Sequence, residues 1–95
     1  MTPAERHKDK VARAGCVICR KLGLGTTPAQ IHHIAEGSGK RSDFAVAGLC
    51  VEHHTGGAGF HKMGTEAFCK LYRIHGETEW GLLTLVNEYL ARDNL

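Results

Sequence analysis

Leu49-Cys50-Val51-Glu52-His53-His54 sets a thiol and an imidazole three positions apart, with a second imidazole directly behind them. Upstream, Cys16-Val17-Ile18-Cys19 repeats the two-residue gap with two thiols. Such a gap lets one tight turn aim both side chains at a single point. Together the pairs supply the four sulfur and nitrogen donors that tetrahedral Zn²⁺ takes. Four protein ligands leave no open position, so an ion held by Cys16, Cys19, Cys50 and His53 is structural. The opposing reading is a set of inert core cysteines and an incidental histidine; two matched pairs in one short chain favour the metal. Cys69 stands apart, at helical spacing in an apolar stretch, and reads as core.

Working outward, the chain of 95 residues is expected to form one domain, 1–95. So short a chain buries a modest core, which makes a metal staple useful and couples metal binding to folding. The composition is that of a globular protein, 42% hydrophobic and 23% charged. A formal net charge of +2 gives no argument for nucleic-acid binding by itself. Local basic stretches exist at Arg6 to Arg13, Arg20-Lys21 and Lys40-Arg41. No apolar run approaches the roughly 20 residues that span a bilayer, and the start lacks a signal peptide's apolar middle. The expectation is a cytoplasmic protein with no membrane partner. In a reducing compartment its cysteines are not a disulfide framework.

Thr2-Pro3-Ala4-Glu5 reads as a capped helix start, with the helix running to about Ala14 and stopping at Gly15. Short strands are expected at Gln30 to Ala35 and Phe44 to Leu49, separated by a polar loop, Glu36 to Ser42. Gly56, Gly57 and Gly59 predict a mobile loop before Phe60-His61-Lys62. Thr65 is expected to cap a helix through His75. Thr78 is expected to cap a last helix, Glu79 to about Arg92, and both helices read as support without chemistry.

Seven histidines is a high count, and only His53 belongs to the zinc set. His7 and His75 fall on predicted helices and read as surface or capping residues. Adjacent His32 and His33 are the informative pair, because neighbouring side chains on a strand point to opposite faces. One can bind an ion while the other meets substrate from another direction. His54 is held by the same turn as His53 but aimed elsewhere, and the glycine loop can fold His61 back toward it. His32, His54 and His61 can thus hold one divalent cation with positions left open. His33 is then the general base, since the ordinary imidazole pKa of about 6.5 suits proton removal near neutral pH.

Phosphodiester hydrolysis needs a base, a cation to stabilise charge on the phosphate and departing oxygen, and cationic side chains for flanking phosphates. Lys40, Arg41 and Lys62 are the candidates for the last role. The other reading of the spare histidines is surface groups or a second structural zinc site.

With these residues in order, the chain resembles the HNH endonuclease superfamily. The likeness rests on Cys16-x-x-Cys19, Ile31-His32-His33-Ile34, Leu49 to His54 and Gly59-Phe60-His61-Lys62-Met63-Gly64. It covers roughly Val11 to Tyr72 and is nearest to phage recombination-enhancement nucleases and their short prophage relatives. The resemblance implies an α+β, zinc-stapled ββα-metal (HNH) domain with flanking N-terminal and C-terminal helices. It implies His32 and His54 as ligands of the active-site ion, His61 as an added ligand and His33 as base. The middle asparagine of the motif is expected about five residues before Cys50, where this chain has Ala45. A backbone carbonyl or Asp43 is left to orient the base.

The expected function is metal-dependent endonucleolytic hydrolysis of DNA by a phage- or host-encoded protein. Structural Zn²⁺ and a second divalent ion (Mg²⁺, Mn²⁺ or Zn²⁺) are the cofactors, and a recombinase is a further partner. The alternatives are a non-catalytic zinc module that binds DNA or a protein, and a purely structural two-zinc protein.

Overall fold

The computed structural model describes residues 1–35 and 41–95. Lys40 and most of the polar loop expected at Glu36 to Ser42 therefore lie outside the described residues. Helix α1 (Pro3–Ala14) begins as its sequence predicts. Thr2 Oγ1 accepts the Glu5 N–H at 3.1 Å, and the Glu5 carboxylate accepts the Thr2 N–H at 3.1 Å. Gly15 ends the helix with φ +81, a conformation only glycine adopts without strain. The short helix α2 (Val17–Lys21) follows at once, capped by the Cys16 sulfur, which accepts the Cys19 N–H at 3.4 Å.

Strands β1 (Gln30–His33) and β2 (Val46–Leu49) form a two-stranded antiparallel sheet. Each is shorter than expected. Residues 42–45 turn instead, with the Ala45 N–H on the Ser42 carbonyl, and Phe44 is left exposed. In the register His32 faces Ala47 and His33 faces Val46. Cys50 then opens α3 (Val51–His54).

The glycine stretch is a turn, as expected, and leads directly into helix α4 (Phe60–Met63), whose N-cap is Gly59 and whose Phe60 ring is buried, so His61 rides on a helical turn. The helix expected from Thr65 to His75 is α5 (Thr65–Leu71), and Gly64 rather than Thr65 occupies its N-cap. Its end is a Schellman turn: the Ile74 N–H reaches the Cys69 carbonyl at 2.9 Å and the Arg73 N–H reaches Lys70 at 3.3 Å. Arg73 takes the left-handed conformation, φ +53, that this turn requires. A 3₁₀ turn (His75–Glu77) leads to α6 (Gly81–Arg92). Helix α6 starts two residues later than expected, and Thr78 is not its cap.

Helix α6 packs on α1, α2 and β2 and buries Leu82, Val86 and Tyr89. Arg20 closes the far end: its guanidinium forks onto both Asp93 oxygens, at 2.5 and 3.0 Å, and lies 4.4 Å over the Tyr89 ring. Among the described residues the result is an α+β fold of six α-helices and a small sheet. Among the described residues no helix is long and apolar enough to cross a membrane.

Helix α1 leaves β2 so little room that backbone meets backbone. A Cβ on Gly48 would lie 2.6 Å from the Gly15 carbonyl oxygen and 3.0 Å from Ala29 Cβ. Gly48→Ala is therefore expected to destabilise the fold by about 1–3 kcal/mol, read from chemical denaturation. An unchanged midpoint would show that α1 is not seated against the sheet.

Candidate functional site

Two donor clusters share the Cys50–His54 turn. In the first, Cys16 and Cys19 come from the start of α2, and Cys50 and His53 from the start of α3. His53 Nδ1 lies 3.5 Å from Cys16 Sγ, 3.5 Å from Cys19 Sγ and 3.2 Å from Cys50 Sγ. Cys19 Sγ and Cys50 Sγ are 3.7 Å apart. Tetrahedral zinc at ordinary bond lengths needs about 3.8 Å between sulfurs and about 3.6 Å between sulfur and nitrogen. The spacing fits, and the four side chains could hold a zinc ion. Burial pushes the Cys16 thiol up to about 12, so a proton must be displaced when the sulfur binds metal. The His53 ring is buttressed edge-on by Tyr72, whose hydroxyl donates to the Ala58 carbonyl at 2.9 Å.

In the second cluster His32, His54 and His61 each offer a ring nitrogen, all within 4.8 Å of one another. His54 Nε2 and His61 Nε2 are 3.0 Å apart. His54 Nδ1–H donates to the Gln30 side-chain oxygen at 2.7 Å, which leaves its Nε2 as a lone pair. Two imidazole nitrogens so close share either one proton or one cation. A tetrahedral site needs about 3.4 Å between them, a few tenths of an ångström more. Burial decreases from His32 through His54 to the exposed His61, so the cluster opens to solvent on the α4 side. The donor set fits a divalent transition ion with positions unfilled.

Strand alternation separates the paired histidines. His32 is buried against the Phe60 ring, centroids 4.6 Å apart, while His33 is partly exposed. His33 Nε2–H donates to Asp43 Oδ1 at 2.8 Å. Lys8 of α1 lies 3.6 Å from the same oxygen. The His33 hydrogen bond first, and Lys8 second, hold the Asp43 carboxyl below the usual carboxylate range. Arg41 and Lys62 are both exposed, Lys62 next to His61 on α4. Of the other histidines, His7 is half-buried against Phe44 and His75 is exposed.

Glu79 is the residue that sequence reasoning missed. It was expected to open a support helix. It lies instead in the turn before α6, buried, with Oε2 accepting from His32 Nε2–H at 2.6 Å and Oε1 accepting from the Ala35 N–H at 3.1 Å. A glutamate after a capping threonine ordinarily reads as a solvated first-turn acid. Nothing local in the sequence distinguishes this one.

The chain matches the family described as recombination enhancement, RecA-dependent nuclease, over residues 2–92, and it belongs to that family. A nuclease role in recombination follows from that membership. No curated protein and no solved structure matches the chain.

Both clusters contain buried imidazoles. Burial is the leading cause that lowers the pKa values of His32, His53 and His54 below their ordinary 6.5. The unfolded chain takes up these protons first. Stability is therefore full above about pH 6.5 and is lost as pH falls from there through the depressed folded values. Thermal midpoints of metal-free protein, measured from pH 7.5 to 5, should fall steadily; a flat profile would contradict the burial of these rings. A strong chelator at neutral pH should lower the midpoint of the thermal transition, because metal binding adds to folding free energy in so small a unit. A transition unmoved by chelation would mean that Cys16, Cys19, Cys50 and His53 do not hold a staple.

Proposed function

We propose that this chain is a single-domain, metal-dependent endonuclease of the HNH, or ββα-metal, type that hydrolyses DNA phosphodiester bonds. The strand pair β1–β2 followed by α3 agrees with that architecture. The observation that carries the reading is the convergence of His32, His54 and His61, with His33 on the other side of β1 held by a carboxylate.

His33 acts as general base. Its Nε2–H is engaged by Asp43, so Nδ1 carries the lone pair that takes a proton from water. Asp43 then faces the imidazolium and stabilises it. This is the orienting work that an asparagine at position 45 would do in the motif, supplied here from two residues upstream. His32, His54 and His61 hold the divalent ion, which supplies charge stabilisation for the phosphate and the departing oxygen. Three imidazoles suit Zn²⁺ better than Mg²⁺. Lys62, Arg41 and Lys40 hold neighbouring phosphates. The family's RecA dependence supports recombinase-bound DNA as the substrate form.

A second reading, a non-catalytic zinc module that binds DNA or a protein, is favoured by Ala45 at the place of the motif's asparagine. The Asp43–His33 hydrogen bond weighs against it.

Nicking of plasmid DNA, assayed with and without a RecA-type recombinase and with each of Mg²⁺, Mn²⁺ and Zn²⁺, tests the proposal. His33→Ala should lose about 10²–10⁴-fold in rate while zinc content and fold are kept. Equal cleavage by wild type and His33→Ala would end the enzymatic reading, and binding without cleavage by both would establish the second one.

A further inference from the structure

We propose that Glu79 is a positioning residue that selects the nitrogen His32 offers to a metal ion, and so sets the affinity of the three-imidazole site. The inference rests on the reading of His32, His54 and His61 as ligands.

The argument is one of donors and acceptors. Glu79 is 5% exposed, and a carboxylate in that position needs a partner for each oxygen. One oxygen accepts the Ala35 N–H, a backbone donor that cannot reverse its role. The other meets His32 Nε2 at 2.6 Å. A carboxylate only accepts, so the imidazole proton sits on Nε2 and the lone pair on Nδ1. His32 is 3% exposed and packed on the Phe60 ring, so the ring cannot swing to escape that choice. Nδ1 is then the nitrogen left for an ion shared with His54 and His61. A carboxylate behind a ligating imidazole fixes its orientation and raises its basicity. Because Glu79 lies in the turn that launches α6, the C-terminal helix is part of the metal site without contributing a ligand.

Glutamine at this position makes the proposal testable, because it has the same shape but only one acceptor oxygen. With that oxygen on the Ala35 N–H, its NH₂ group faces His32 Nε2 and donates to it. The His32 proton must then move to Nδ1, the nitrogen the ion needs.

The experiment uses full-length protein with zinc in its four-ligand site. Cobalt(II) is titrated into the second site by calorimetry, and His32 tautomers are read from ¹⁵N NMR shifts before cobalt is added. Wild type should show His32 protonated on Nε2. Glu79→Gln should show it on Nδ1 and bind cobalt about 10–100-fold more weakly. Glu79→Ala should show a mixture of tautomers and a similar loss, and the zinc content of each variant reports that the fold is kept. Equal cobalt affinity in all three proteins overturns the proposal. A weaker site in Glu79→Gln with His32 still protonated on Nε2 also overturns it, since Glu79 would then act by charge alone. If wild type binds no second ion, the ligand reading of the three histidines fails and this inference falls with it; that result is distinct from a site which binds equally well without Glu79.

Discussion

The close approach of three cysteine sulfurs and one imidazole nitrogen is the constraint on which the rest of the molecule depends. Cys16 and Cys19 stand at the start of α2, and Cys50 and His53 at the start of α3, so this cluster joins the N-terminal third of the chain to the end of the sheet. The cluster does more than offer four donors to a zinc ion. By seating His53 it fixes the turn that carries His54, and the direction of His54 follows from the helical backbone one residue on. The structural cluster thereby aims the first imidazole of the second cluster.

The second constraint is the period of a strand. His32 and His33 are neighbours that must part company, because β1 sends alternate side chains to opposite faces. Burial then differentiates two chemically identical residues. One is packed against Phe60 and held by Glu79; the other keeps access to solvent and is held by Asp43. Identical side chains acquire different partners from their surroundings, and the partner sets which nitrogen is protonated and which is open.

Each of three histidines in and beside the second cluster has its own oxygen acceptor: Glu79 for His32, Asp43 for His33 and Gln30 for His54. These acceptors come from the turn before α6, the turn before β2 and the start of β1. The site is thus distributed over most of the chain although its imidazoles are close together. That distribution explains why so small a protein carries helices beyond the sheet and its following turn. Helix α1 contributes Lys8 beside Asp43, and α6 begins at the turn that supplies Glu79.

Spacing alone pointed to the four-ligand cluster and the capped start of α1, because these depend on contacts within a few residues or on a metal's fixed appetite for four donors; the three other histidines were only a candidate group until the fold brought them together. Local hydrogen bonding also overrode some expectations. The Schellman turn at Arg73 ended α5 before His75, and Gly64 rather than Thr65 took its N-cap. What tertiary structure alone decided is the carboxylate behind the buried histidine. Glu79 lies 47 positions from His32, and its letter reads equally well as a solvated acid at a helix start. Only the packing of α6 against the sheet removes that carboxylate from water and obliges it to find a donor, and the nearest one is an imidazole.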